Sequence, residues 1–84
     1  MISESSLKRI SSIFCGDIEE FYSYKSGPKL VEFFNHYFHS DDVYKQGFPS
    51  RWAYVYDKLA GMINNNTINS YFDIILSKEY LKHD

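Results

Sequence analysis

The sequence predicts an all-α fold, a compact bundle of five to six short helices around an aromatic-rich core. Three observations carry that prediction. Apolar residues recur at i, i+3, i+4 and i+7 in successive segments, the spacing of one helix face. No segment alternates with a period of two for long enough to argue for a strand. Gly, Pro and Asn interrupt the pattern at short intervals, so consecutive helices should pack against one another through short connections. Seven Phe, eight Tyr and one Trp make up 19% of the 84 residues. Each buried ring removes about 150–250 Å² from water, which lets so short a chain form a core without staples.

The elements follow in order. Ser3 caps a first helix from Glu4, with Ser5 or Ser6 as later starts, and Leu7, Ile10, Ile13 and Phe14 face one way. Gly16 suits the C′ position that ends it. A second short helix begins at Asp17, with Ile18, Phe21 and Tyr22 on one face, and Ser26-Gly27 breaks it. The third helix has Pro28 in its first turn, where the missing N–H costs nothing, followed by Leu30, Phe33, Phe34, Tyr37 and Phe38. Residues 39–46 are polar and irregular, with a single turn starting at Asp41 and Asp42. A fourth helix starts at Pro49 or Ser50 and displays Trp52, Val55, Tyr56, Leu59 and Met62 or Ile63, until Asn64-Asn65-Asn66 stops it. Thr67 caps a fifth, with Ile68, Tyr71, Phe72 and Ile75 aligned. Ser77 either caps a last turn holding Tyr80 and Leu81 or interrupts a continuous helix.

Composition limits the function classes. Residues 1–84 form one small domain, either complete or the first module of a longer protein. Cys15 is the only cysteine, so an intrachain disulfide scaffold is excluded and a cytoplasmic setting is expected. Net charge is −2, with 9 basic and 11 acidic residues spread along the chain, which gives no electrostatic case for nucleic acid or an anionic membrane. No apolar run approaches the ~20 residues that span a bilayer. The N-terminal residues lack the basic and apolar regions of a signal peptide.

Few residues suggest bond chemistry, and each has a plainer reading. His36 and His39 share a helix face at i and i+3, but a metal site needs a third fixed ligand, and two surface histidines closing a helix is the simpler account. Reactive thiolates favour helix N-termini and cationic neighbours, whereas Cys15 falls at a C-terminus beside Asp17, as a small core hydrophobe would. Ser26-Gly27-Pro28-Lys29 lacks the glycines and the preceding strand of a phosphate loop. The fourth and fifth helices are poorly equipped for DNA, because Thr67 to Leu76 carries no Lys or Arg. No catalytic residue, cofactor or metal is expected. Arg51 is different. Its charge opposes the helix dipole in the first turn, so an ion pair with Asp17, Glu19, Glu20, Asp41 or Asp42, a stacked ring, or a partner should compensate.

Ser26-Gly27-Pro28-Lys29-Leu30-Val31-Glu32-Phe33-Phe34-Asn35, then Asp42-Val43-Tyr44, then Gly47-Phe48-Pro49-Ser50-Arg51-Trp52 is similar to a small N-terminal domain of bacterial abortive-infection proteins of the AbiJ type. The similarity covers about Leu7 to Leu81, and the Gly-Phe-Pro-Ser-Arg segment is its most distinctive part. The resemblance implies an all-α sensing or adaptor module in anti-phage defence, placed before an effector such as a nuclease-like domain, with no catalytic residues. No such effector follows Asp84, which marks either a part of a longer protein or a stand-alone relative.

These observations lead to a non-enzymatic recognition module acting on a protein partner or a fused effector. Tyr44, Phe48, Arg51 and Tyr54 are the candidate exposed anchors. Tyr54 earns its place by falling off the Trp52–Tyr56 stripe. The alternative is a nucleic-acid-binding accessory domain, with tyrosines stacking on bases beside Lys25, Lys29 and Lys45.

Overall fold

Helix formation begins at Ser3 in the computed structural model, which describes residues 2–17, 22–77 and 80. Ser3 is extended, and its hydroxyl accepts the N–H of Ser6 at 3.2 Å, which starts α1 (Glu4–Cys15). Gly16 ends it in the left-handed region, φ 84°, with its N–H bonded to the Ile13 carbonyl. Glycine is required there for a second reason. A Cβ would come within 2.4 Å of the Ser23 carbonyl oxygen and the Tyr24 Cα, because segment 22–26 crosses directly over the helix end.

Ser26 repeats the Ser3 device for α2 (Gly27–Phe38), accepting from the Lys29 N–H, with Pro28 in the first turn. His39 closes α2 at φ 57°. Ser50 precedes α3 (Arg51–Asn64) without a side-chain capping bond, and Asn66 adopts φ 58° in the turn that follows. Thr67 precedes α4 (Ile68–Ile75), but its side chain makes no capping bond. Its hydroxyl and its N–H both turn back to the Met62 carbonyl, at 3.3 and 2.8 Å, so Thr67 closes α3 instead.

The described residues therefore form four helices, where five to six were expected, and contain no strand. Most of the helix expected from Asp17, including Ile18 and Phe21, lies outside the described residues. Its last member, Tyr22, is buried in non-helical chain and donates its hydroxyl to the Ile75 carbonyl at 2.8 Å. The turn expected at Asp41 is absent because Asn35 takes up the backbone of Asp42 from both sides: its Nδ2 donates to the Asp42 carbonyl at 3.0 Å and its Oδ1 accepts the Asp42 N–H at 3.1 Å. At the other end, the Ser77 hydroxyl accepts the Tyr80 N–H at 3.1 Å, as a cap would. Leu81 lies outside the described residues.

α3 touches each of the other helices, most extensively α1. The centre of the core is Phe14, whose ring meets Phe33 at 4.8 Å, Tyr71 at 5.5 Å, Tyr22 at 5.6 Å and Phe34 at 6.4 Å, mostly tilted or edge to face. Leu30, Val55, Leu59 and Ile75 close around these rings. The radius of gyration is 12.1 Å, against about 12 Å for a folded chain of this length. No helix among the described residues is long and apolar enough to cross a membrane.

Candidate interaction surface

Residues 39–50 contain no regular structure, yet they are fixed at several points. The Asn35 amide holds the Asp42 backbone. The Asp42 carboxylate accepts the Tyr54 hydroxyl at 2.7 Å and pairs with the Lys58 ammonium. Those two bonds, with Lys58 foremost and against the opposing effect of burial, hold the Asp42 carboxyl below the usual carboxylate range. Burial, reinforced by the bond to Asp42, pushes the Tyr54 hydroxyl well above its ordinary value. Rings complete the anchorage. Phe48 lies 4.8 Å from Tyr54, and Tyr44 stacks on Phe48 at 4.7 Å and 24°. The Tyr44 ring also rests on Gly27, where a Cβ would meet it at 2.7 Å.

The four expected anchors thus fall in different places. Tyr44 is 47% exposed and Phe48 is half-buried beneath it. Tyr54, expected to be exposed, is buried at 6%. Its distance from the Trp52–Tyr56 stripe is real, but the 39–50 loop covers that side of α3, so two faces of the helix are buried instead of one. Trp52 and Tyr56 are correspondingly only half-buried. Val43, at 68% exposure, extends the outward apolar surface beside Tyr44.

Arg51 points inward along the chain crossing. Its Nε donates to the Lys25 carbonyl and its Nη2 to the Cys15 carbonyl, both at 2.7 Å, and Nη2 pairs with Asp17 at 2.9 Å. The guanidinium stacks 4.0 Å over the Tyr24 ring. Ion pair and stacked ring together supply the compensation that its place in the first turn of α3 demands. Lys25 N–H also bonds to the Cys15 carbonyl at 2.9 Å, so one oxygen joins three parts of the chain.

The remaining reactive side chains stand apart. Cys15 is fully buried, and burial pushes its thiol up to about 11 against the pull of Arg51, the opposite of nucleophile activation. His36 and His39 are both exposed, whereas Cys15 is buried. No group of three His, Cys, Asp or Glu among the described residues is placed to hold a metal. A groove of about 970 Å³ runs between α2 and α4, lined by Lys29, Glu32, Phe33, His36, Asp73 and Ile74 among others, with both signs of charge on its walls.

Sequence reasoning missed the Asp42–Tyr54–Lys58 and Asn35–Asp42 contacts. Tyr54 and Lys58 stand at i and i+4 on α3, which was a usable signal for a shared acceptor. Nothing in the sequence pointed to Asp42 as that acceptor, or to Asn35 as the holder of its backbone. No protein-family model, curated protein or solved structure matches this chain.

Proposed function

We propose that this chain is a non-enzymatic recognition module that works through protein–protein contact, in bacterial anti-phage defence as its resemblance to the AbiJ-type domain implies. The observation that carries the reading is the Tyr44–Phe48 stack with Val43 beside it. Here an irregular loop presents apolar side chains to solvent while its backbone and inner rings are tied to α2 and α3. A pre-ordered aromatic anchor binds at a lower entropic cost than a mobile one, and aromatic side chains are enriched among the residues that dominate interface energies. Tyr44 and Phe48 are the contact residues in this proposal. Arg51 and Tyr54 support them from beneath, Tyr54 by contact with Phe48 and Arg51 by fixing the start of α3.

The test compares wild-type protein with Tyr44→Ala as affinity bait in its native host, with and without nuclease and at low and high salt. Retention of a specific protein by wild type under all four conditions, lost with Tyr44→Ala, supports the proposal. Salt-labile recovery of nucleic acid, with no protein that depends on Tyr44, supports the nucleic-acid alternative. Phage plating on a strain lacking the gene tests the defence role separately, and unchanged plating efficiency across a phage panel counts against it.

A further inference from the structure

The outer faces of α1 and α3 meet in a second cleft, of about 460 Å³, lined by Glu4, Lys8, Trp52, Ala53, Tyr56 and Asp57 among others. Its aromatic wall is formed by Trp52 and Tyr56, one helical turn apart, with ring centroids 6.3 Å apart at 86°. The small Ala53 side chain leaves space beside them. Two carboxylates, Glu4 from α1 and Asp57 from α3, belong to the same lining.

One cation already lies there. The Lys8 Nζ is 4.7 Å from the centroid of the Trp52 ring. Glu4 and Lys8 stand at i and i+4, where a mutual ion pair is the ordinary arrangement. The ion pairs among the described residues nevertheless involve only Asp17 and Asp42 as acids. Lys8 rests on the ring, and among the described residues no cation pairs with the carboxylates of Glu4 and Asp57. Two electron-rich rings at a right angle, beside two acids without an ion-pair partner, make a chemistry that selects positive charge.

We propose that this cleft receives a lysine or arginine side chain from a basic peptide segment of a partner protein, with Lys8 as the internal occupant that it displaces. Lys8 is exposed, so moving it from the ring uncovers little apolar surface. The cleft is an open trough between two helices, a shape suited to a side chain carried on a longer chain. This site is separate from the Tyr44–Phe48 surface and does not depend on it.

Trp52 is the only tryptophan, so its fluorescence reports directly on the cleft. The probe is a blocked pentalysine peptide titrated into the intact protein. A saturable fluorescence change is expected, with affinity tightened about two- to five-fold in Lys8→Ala, the amount one exposed cation–π contact contributes. Combined Glu4→Gln and Asp57→Asn should weaken binding, while Glu32→Gln, an exposed acid on α2, should leave it unchanged. All four positions are exposed, so the substitutions spare the core, and circular dichroism of each variant serves as the check on folding. Three results would overturn the proposal: no saturable change in either wild type or Lys8→Ala, unchanged affinity in Lys8→Ala, or equal weakening by Glu32→Gln and by the paired variant. Tetramethylammonium binding as tightly as the peptide would also overturn the assignment to a peptide.

Discussion

At the scale of single residues, the most consequential side chain is Arg51. It stands at the helix end where a positive charge is least welcome, and its planar fork reaches two backbone carbonyls and a carboxylate at once. A lysine offers one charge centre and cannot reproduce that pattern. Arg51→Lys should therefore destabilise the fold by about 2 kcal/mol, read as a lower urea midpoint at unchanged slope. Tyr71 provides the contrasting case. Its ring is fully buried against Phe14 and Phe34, but its hydroxyl has no hydrogen-bond partner, and burial raises its ionisation well above the ordinary range. Burying an unpaired hydroxyl costs about 1–3 kcal/mol, so Tyr71→Phe should leave stability unchanged or raise it by about 1 kcal/mol. A clear loss in thermal or urea unfolding would show that the hydroxyl contributes to the native state.

At the scale of elements, the 39–50 loop behaves as a structural part because Asp42 fastens it to α3. Asp42 has a depressed ionisation in the folded protein, so its contribution to stability is present above its unfolded value, near pH 4, and is lost as the pH falls through the folded value. Asp42→Asn should cost about 1 kcal/mol at neutral pH, a modest figure because the side chain is still 31% exposed and water screens it. The same variant should show a shallower loss of stability on acidification, and urea melts from about pH 6 to pH 3 compare the two slopes. The four helices themselves were largely legible, because Ser3, Gly16, Ser26, Pro28 and the asparagines act locally and their effects can be read from neighbouring positions. Thr67 was misread because a Thr before a helix is also a Thr after one, and here the Met62 carbonyl claims it. The candidate surface was legible only in part. Tyr44 remained outward, but the burial of Tyr54 depends on where a loop with no periodicity settles, and the partner that decides it, Asp42, lies 12 positions away.

At the scale of the whole molecule, rings and apolar side chains are divided between a packed interior and an exposed set. Phe14, Phe34 and Tyr71 fill the interior, while Tyr24, Val43, Tyr44 and Leu76 are the most exposed large apolar residues among those described. α3 lies against all three other helices, so the C-terminal half contributes contacts that the first two helices cannot make alone. The Cys15 carbonyl sharpens that dependence, since one of its two donors arrives from residue 51, 36 positions downstream. Severed between Gln46 and Gly47, the N-terminal piece would keep the glycine that the backbone crossing at Gly16 requires but lose the guanidinium that bridges that crossing. Such a piece should remain a coil by circular dichroism on its own and gain helical signal only when the complementary piece is added, making this small protein a split reporter whose halves recognise each other through the shared aromatic core and the Arg51 clasp together.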